Sequence, residues 1–132
     1  MPELPEHGMI HLRSPHSAAE TRLRLEAALA ARGIPILAHI DHSAGAADAG
    51  IAMPAADVYI FGNAKAGTPL MLAAPTLALD LPLKALVWED AGKQVWVTYN
   101  TPEYLKDRHG FPENLMANIA GIRGIVEAAI AE

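Results

Sequence analysis

Residues 62–69 of the chain, GNAKAGTP, carry part of the pattern of a phosphate-binding loop. Such a loop needs backbone N–H groups as a cradle, a lysine on the phosphates and a hydroxyl on magnesium. Gly62 and Gly67 have the required spacing and Thr68 supplies a hydroxyl, but the lysine stands inside the loop, at position 65. Nucleotide hydrolysis is therefore not predicted. The stretch is interpreted as a turn before a helix, with an anion site near Lys65 as the functional alternative.

The stretch HIDHS places His39 and His42 three residues apart. On a strand, two such residues point to opposite faces, so the pair is a poor metal site. His42 follows three apolar residues at alternate positions, 36, 38 and 40, at the end of a predicted strand. Two interpretations stay open: a histidine at the edge of the core that bonds to backbone, or one that lines a pocket mouth, with Asp41 as a helix cap or orienting carboxylate.

Lys84 lies in a predicted strand that is otherwise apolar. The alternation of the strand places it on one face with Leu86 and Trp88. The simpler interpretation is a solvated lysine or one that pairs with Asp80. The functional interpretation is a lysine that reaches into a pocket.

His7, Met9 and His11 alternate along a predicted first strand and would share one face. Histidine and methionine together suit soft metals such as Cu(I). An exposed strand edge explains the same pattern more simply. We therefore predict neither a metal nor a cofactor.

The composition favours a single domain over residues 1–132, with 52% hydrophobic residues and no cysteine. The absence of cysteine excludes disulfides, thiolate metal sites and cysteine nucleophiles. A net charge of −5 argues against nucleic-acid and anionic-membrane partners, because both need a basic face. No apolar run is long enough to span a membrane. We expect a cytoplasmic protein.

The elements that must position these residues follow from the apolar patterns and the turn residues. Strands are predicted at 7–12, 34–42, 57–62, 83–89 and 94–99, and helices at 17–32, 68–74, 101–108 and 115–130. Residues 43–54 are interpreted as a loop or short helix. The order is β-α-β-β-α-β-β-α-α. Hairpins and grouped helices predict an α+β fold, with helices packed on one face of a mainly antiparallel sheet.

Four segments in order, IDHSAGAADAGIAMP, IFGNAKAGTPLM, APTLALDLPLKALVWED and VWVTYNTPEYL, resemble the bacterial and archaeal domain-of-unknown-function 302 family. The resemblance covers roughly residues 34–108. It implies a compact α+β fold related to the TATA-binding-protein-like group, often dimeric, and no established activity. One departure is Ala64, where the family often has proline after the Gly-Asn pair.

Three hypotheses about function result. The first is a domain that binds a small molecule or anion in a pocket near the 62–68 turn and His42, because sites usually lie at strand ends and loops on a rigid scaffold. The side chains assigned to this pocket are His42, Asn63, Lys65, Thr68 and Lys84. The second is an enzyme with His42 as general base and Asp41 as its orienting carboxylate. The third is a homodimeric protein-interaction module without a small ligand.

Overall fold

The computed structural model describes residues 4–132, and its centre is a five-stranded antiparallel sheet in the order β1-β5-β4-β3-β2. The strands are β1 (Met9–Ser14), β2 (Ile36–Asp41), β3 (Ala56–Phe61), β4 (Leu83–Glu89) and β5 (Val95–Asn100). The predicted hairpin is β4–β5, in which Val87 lies opposite Val97. The fold class predicted from the sequence is confirmed: an α+β chain built on an antiparallel sheet.

The described residues also form five α-helices and two 3-10 helices. The α-helices are α1 (Ala18–Ala31), α2 (His42–Asp48), α3 (Ala64–Ala73), α4 (Pro102–His109) and α5 (Ile122–Ile130). The 3-10 helices are Pro75–Leu79 and Glu113–Asn118. A side chain caps α1, because the Ser17 hydroxyl oxygen accepts from the backbone N–H of Glu20 at 3.0 Å.

The main core lies between the sheet and the helix pair α1 and α5. Leu25 and Leu29 of α1 are fully buried there, as the helical spacing predicts, and Val126 of α5 is buried against them. Alternate residues of the central strands, such as Val87 and Val97, complete this core. Burying one such side chain contributes about 1.5–3 kcal/mol, so this layer supplies most of the hydrophobic stabilisation.

A second, smaller core lies beyond one end of the sheet, under α3, α4 and the two 3-10 helices. Its largest buried side chains are Leu70, Leu77, Leu105 and Phe111. Leu83, the first residue of β4, packs against both cores. The junction of the two cores therefore lies at the start of β4.

The structure corrects the predicted start of α3. The helix begins at Ala64, not at Thr68, because the Asn63 side chain accepts from the N–H of Ala66 at 2.8 Å and caps it. Pro69 consequently lies inside the helix rather than at its first position. Both Asn63 and Thr68 are residue types that cap helices, so local preference alone did not choose between them.

The predicted C-terminal helix over 115–130 is split. Its first part is the 3-10 helix Glu113–Asn118, and α5 begins only at Ile122. The segment predicted as a loop or short helix contains the seven-residue helix α2.

The predicted face of β2 is interrupted by a register shift. The shift lies between Ile36 and Ala38, and His42 belongs to α2 rather than to the strand. All six residues of β2 are exposed, since β2 forms one edge of the sheet. His42 therefore does not continue an apolar strand face, which corrects the strand end predicted at residue 42.

Gly8 is required by a close approach as well as by its backbone angle. Its φ is +87°, and an added Cβ would lie 2.2 Å from Cγ of Tyr104. Gly110 has a similar φ of +80°, with no atom within 4 Å of an added Cβ. Substitution of Gly110 therefore tests backbone strain alone, whereas substitution of Gly8 tests backbone strain together with a steric clash.

We expect Gly110→Ala to lower the free energy of unfolding by about 1–2 kcal/mol, the cost of a left-handed residue with a side chain. Gly8→Ala should cost about 1–3 kcal/mol more, because Tyr104 must move. Urea unfolding of the two variants measures this difference. Equal losses of stability would show that Tyr104 moves aside without cost.

Candidate functional site

A cavity of about 580 Å³ lies where the two cores meet. It is bounded by α3, the start of α5 and the first residues of β2 and β4. Its volume is within the range of small-molecule sites in proteins, about 300–1,000 Å³. The residues that line it are Ile34, Pro35, Leu37, Phe61, Gly62, Asn63, Ala64, Ala66, Gly67, Met71, Leu81, Pro82, Leu83, Asn118, Ile119, Gly121, Ile122 and Ile125.

The lining of the cavity is apolar, and no charged side chain from the described residues 4–132 contributes to it. Asn63 and Asn118 supply its polar side chains. Both already bind the backbone of α3: Asn63 accepts from the N–H of Ala66, and Asn118 donates to the carbonyl of Ala66 at 3.0 Å. The two amides therefore hold the wall of the cavity in place.

The structure brings one of the five predicted pocket residues, Asn63, to this cavity. Lys65 and Thr68 are exposed residues of α3 outside the lining. Lys84 is half-buried, and its ammonium donates to the carbonyl oxygens of Asp80 and Pro82, each at 3.2 Å. The lysine thus closes the turn before β4 and does not point a free charge into the cavity.

His42 follows the end of the β2–β3 strand pair that is farther from the 62–68 turn. Asp41 is opposite Asp57 at the start of β3, whereas Ile36 is opposite Phe61, which precedes the 62–68 turn. Five residues of antiparallel strand span about 17 Å, so the structure does not bring His42 and the turn together.

Asp41 caps α2 and does not orient His42. Its carboxylate accepts from the N–H of Ala44 at 2.9 Å and from the hydroxyl of Ser43 at 2.8 Å. These hydrogen bonds lower the pKa of Asp41 below its ordinary value. The carboxylate is therefore committed to the helix end.

A carboxylate–imidazole pair does occur nearby, formed by His39 and Asp57. Nε2 of His39 lies 2.6 Å from Oδ2 of Asp57, and the guanidinium of Arg22 lies 3.5 Å from Oδ1. Asp57 is buried, whereas 38% of the His39 side chain is exposed. Because an ionised carboxylate only accepts, Nε2 carries the hydrogen, and Nδ1 holds the lone pair of the neutral ring.

Tyr59 extends this pair into a cluster of five side chains, Arg22, Glu26, His39, Asp57 and Tyr59, which we name the edge cluster. The rings of His39 and Tyr59 stack with centroids 4.2 Å apart. The Tyr59 hydroxyl donates to Glu26 at 2.5 Å. Burial, followed by the bond and charge of Glu26, raises the pKa of Tyr59.

Sequence reasoning missed the edge cluster. The available signal was alternation: Asp57, Tyr59 and Phe61 lie on the same side of a strand, and that side is apolar at Phe61. A carboxylate on a buried face requires hydrogen-bonding partners, so Asp57 indicated a cluster of polar side chains.

The three residues considered for a soft metal do not share a strand face. His7 lies in a turn with φ of 40°, before β1 begins at Met9. Nδ1 of His11 lies 2.8 Å from the Thr98 hydroxyl, and its Nε2 contacts the carbonyl of Pro5. Both ring nitrogens of His11 are therefore engaged in hydrogen bonds.

The raised pKa of Tyr59 yields a prediction for alkaline solution. Glu26→Gln should lower the pKa of Tyr59, because glutamine removes the negative charge yet still accepts the hydrogen bond. Burial and Glu26 raise the pKa of Tyr59 in the folded state, so the protonated phenol contributes to stability. This contribution is complete below the ordinary tyrosine pKa of 10.0 and is lost as the pH rises through the higher pKa of the folded state.

Tyrosinate absorbance during alkaline titration measures the shift, and Tyr59→Phe identifies which transition belongs to Tyr59. Glu20→Gln is the matched control, since Glu20 lies on the same helix but pairs with Arg24. A titration curve of Glu26→Gln that coincides with the unsubstituted protein would contradict the assignment.

The fold is that of an α+β domain with a five-stranded antiparallel sheet, and a solved structure has the same fold. It is the crystal structure of an uncharacterized conserved protein DUF302 from Bacillus stearothermophilus, with a TM-score of 0.76 over 93% of this chain and 95% of that chain. The two sequences are 17% identical, so the likeness concerns the fold alone.

The chain belongs to the DUF302 family, described as a domain of unknown function, whose model matches residues 10–129. The family predicted from the four sequence segments is thus confirmed. The relation to the TATA-binding-protein-like group stays a prediction.

Curated relatives carry the name of an ion channel. The chain is 41% identical over 109 residues to "Fluoride-specific ion channel FluC 1" of Brucella suis biovar 1 and, at the same identity, to a protein of that name in Brucella abortus biovar 1. The match covers 83% of this chain but 43% and 40% of those proteins. The chain therefore spans less than half of their length. None of the helices formed by residues 4–132 has the length and hydropathy of a membrane-spanning segment.

Proposed function

We propose that this domain binds a small, predominantly apolar molecule in the cavity between its two cores. The observation that carries the proposal is the combination of a volume of about 580 Å³ with an uncharged, apolar lining. Small-molecule sites are typically concave, mostly apolar and furnished with a few polar groups. Here, the amides of Asn63 and Asn118 and the backbone of the 62–64 turn are those groups.

The lining favours an apolar ligand over an anion. Burying an ion without a paired charge or several hydrogen bonds is strongly unfavourable. Neither Lys65 nor Lys84 lines the cavity, so the anion-binding version of the proposal lacks a cation. Fluoride, which appears in the name of the Brucella relatives, is disfavoured as a ligand of this cavity for the same reason.

Gly67 offers a way to fill the cavity without backbone strain. It lies in α3, and an added Cβ would meet Leu81 and Met71 at ordinary contact distances of 3.7 and 3.9 Å. Gly67→Leu should weaken binding of the uncharged probe N-phenyl-1-naphthylamine at least about tenfold, equivalent to about 1.4 kcal/mol. Probe fluorescence in a titration with protein measures the dissociation constant.

Gly45→Leu is the matched control, because Gly45 is an exposed helical glycine of α2 outside the cavity lining. It adds the same side chain to the surface and should leave the dissociation constant unchanged. Equal probe binding by Gly67→Leu and the unsubstituted protein would refute the cavity as the site. So would a probe that fails to bind the unsubstituted protein.

We also propose that the chain forms a homodimer through β2. The strand is an edge with every residue exposed, and its backbone can pair with a second strand. Of the eight large apolar residues that are exposed within residues 4–132, five lie within 36–53: Ile36, Leu37, Ile40, Ile51 and Met53. An unprotected apolar edge favours pairing with an identical copy about a two-fold axis, because the same strand is complementary to itself.

Ile40→Lys should shift the chain from dimer to monomer, because a charge on the edge strand opposes strand pairing. Sedimentation equilibrium over a range of concentrations measures the association constant. Leu72→Lys is the matched control, since Leu72 is an exposed leucine of α3 and not part of β2. A monomeric unsubstituted chain at its highest soluble concentration would overturn the proposal.

A further inference from the structure

A hydroxyl, an imidazole and a carboxylate lie in a row at the surface formed by the first 3-10 helix and the end of α4. The Thr76 hydroxyl lies 2.7 Å from Nδ1 of His109, and Nε2 of His109 lies 2.5 Å from Oδ2 of Asp80. Thr76 is exposed, whereas the His109 side chain is only 4% exposed. The imidazole is therefore the most buried of the three groups and lies between an exposed hydroxyl and a carboxylate that is 17% exposed.

The carboxylate determines which nitrogen of His109 carries the hydrogen. Asp80 also pairs with the guanidinium of Arg108, whose nitrogen lies 3.3 Å from the same carboxylate oxygen. An ionised carboxylate can only accept, so Nε2–H donates to Asp80 and Nδ1 of the neutral ring holds a lone pair. The Thr76 hydroxyl must then donate to Nδ1. This is the order of nucleophile, base and orienting carboxylate found in hydrolytic triads, here with the two ring nitrogens exchanged.

We propose that Thr76 is a nucleophile that takes an acyl group from activated esters, with His109 as its base. The Thr76 oxygen forms a bond to the acyl carbon while its proton passes to Nδ1 of His109. The ester C–O bond then breaks, and the proton on His109 passes to the leaving oxygen. The products are an ester on Thr76 and a free alcohol or phenol, so atoms and charge balance.

The surroundings favour a substrate with an apolar acyl group. Leu72 and Leu79, four residues before and three residues after Thr76, are 79% and 73% exposed. Exposed apolar side chains next to a nucleophile in the chain offer contact area for an aliphatic acyl chain. This site is separate from the cavity, because none of Thr76, Asp80 and His109 lines it.

The test uses the full chain and p-nitrophenyl butyrate. Release of p-nitrophenol gives the rate, and peptide mass spectrometry locates the butyryl group. We expect one butyryl group on Thr76. The internal comparison is Thr68, which is also exposed but has no hydrogen bond to an imidazole among the described residues. Labelling of Thr76 should exceed that of Thr68 by about a hundredfold, the usual contribution of a positioned base.

Variants separate chemistry from folding. Thr76→Val should abolish labelling at this position, and Thr76→Ser should restore it. A purely structural hydroxyl would be labelled neither in the unsubstituted protein nor in Thr76→Ser. His109→Gln should slow acylation about a hundredfold. Circular dichroism checks that each variant is folded. Butyryl groups found on lysines alone, or on Thr76 no faster than on Thr68, would overturn the proposal, and that comparison needs no variant.

Discussion

Leu83 occupies the point on which the rest of the architecture depends, because it packs against both hydrophobic cores. The larger core packs against the sheet, of which β4 is a central strand. The smaller core packs against the start of the same strand. One side chain cannot fill both spaces at the density of a protein interior. The cavity beside Leu83 is the space that remains, and Phe61 and Ile122 of the larger core form part of its wall.

Local structure was largely readable from the sequence. The β4–β5 hairpin, the Ser17 cap and the buried face of α1 each depend on residues within a few positions of one another. The errors also have local causes. Asn63 and Thr68 are both good caps, and the helix took the earlier one. A register shift inside β2 removed the alternation from which the position of His42 was inferred.

The sites were less readable, because their parts are distant in the sequence. His39 and Asp57 are 18 residues apart, and Thr76 and His109 are 33 apart. Residues of the 62–68 stretch line a cavity, but the chemistry expected there was polar, whereas the lining is apolar. Apolar residues from several elements form that lining, and no spacing of residues along the sequence predicts such a surface. A motif of polar residues is visible in a sequence, but a concavity made of ordinary core residues is not.

Leu37 belongs to two surfaces at once. It lines the cavity, and it is a highly exposed residue of the edge strand β2, beside the register shift. A strand paired with β2 and a molecule in the cavity would therefore contact the same short segment. Any effect of one of these binding events on the affinity of the other must be matched by an equal effect in the reverse direction. A ligand in the cavity that shifts the equilibrium between monomer and dimer would then bind monomer and dimer with different affinities.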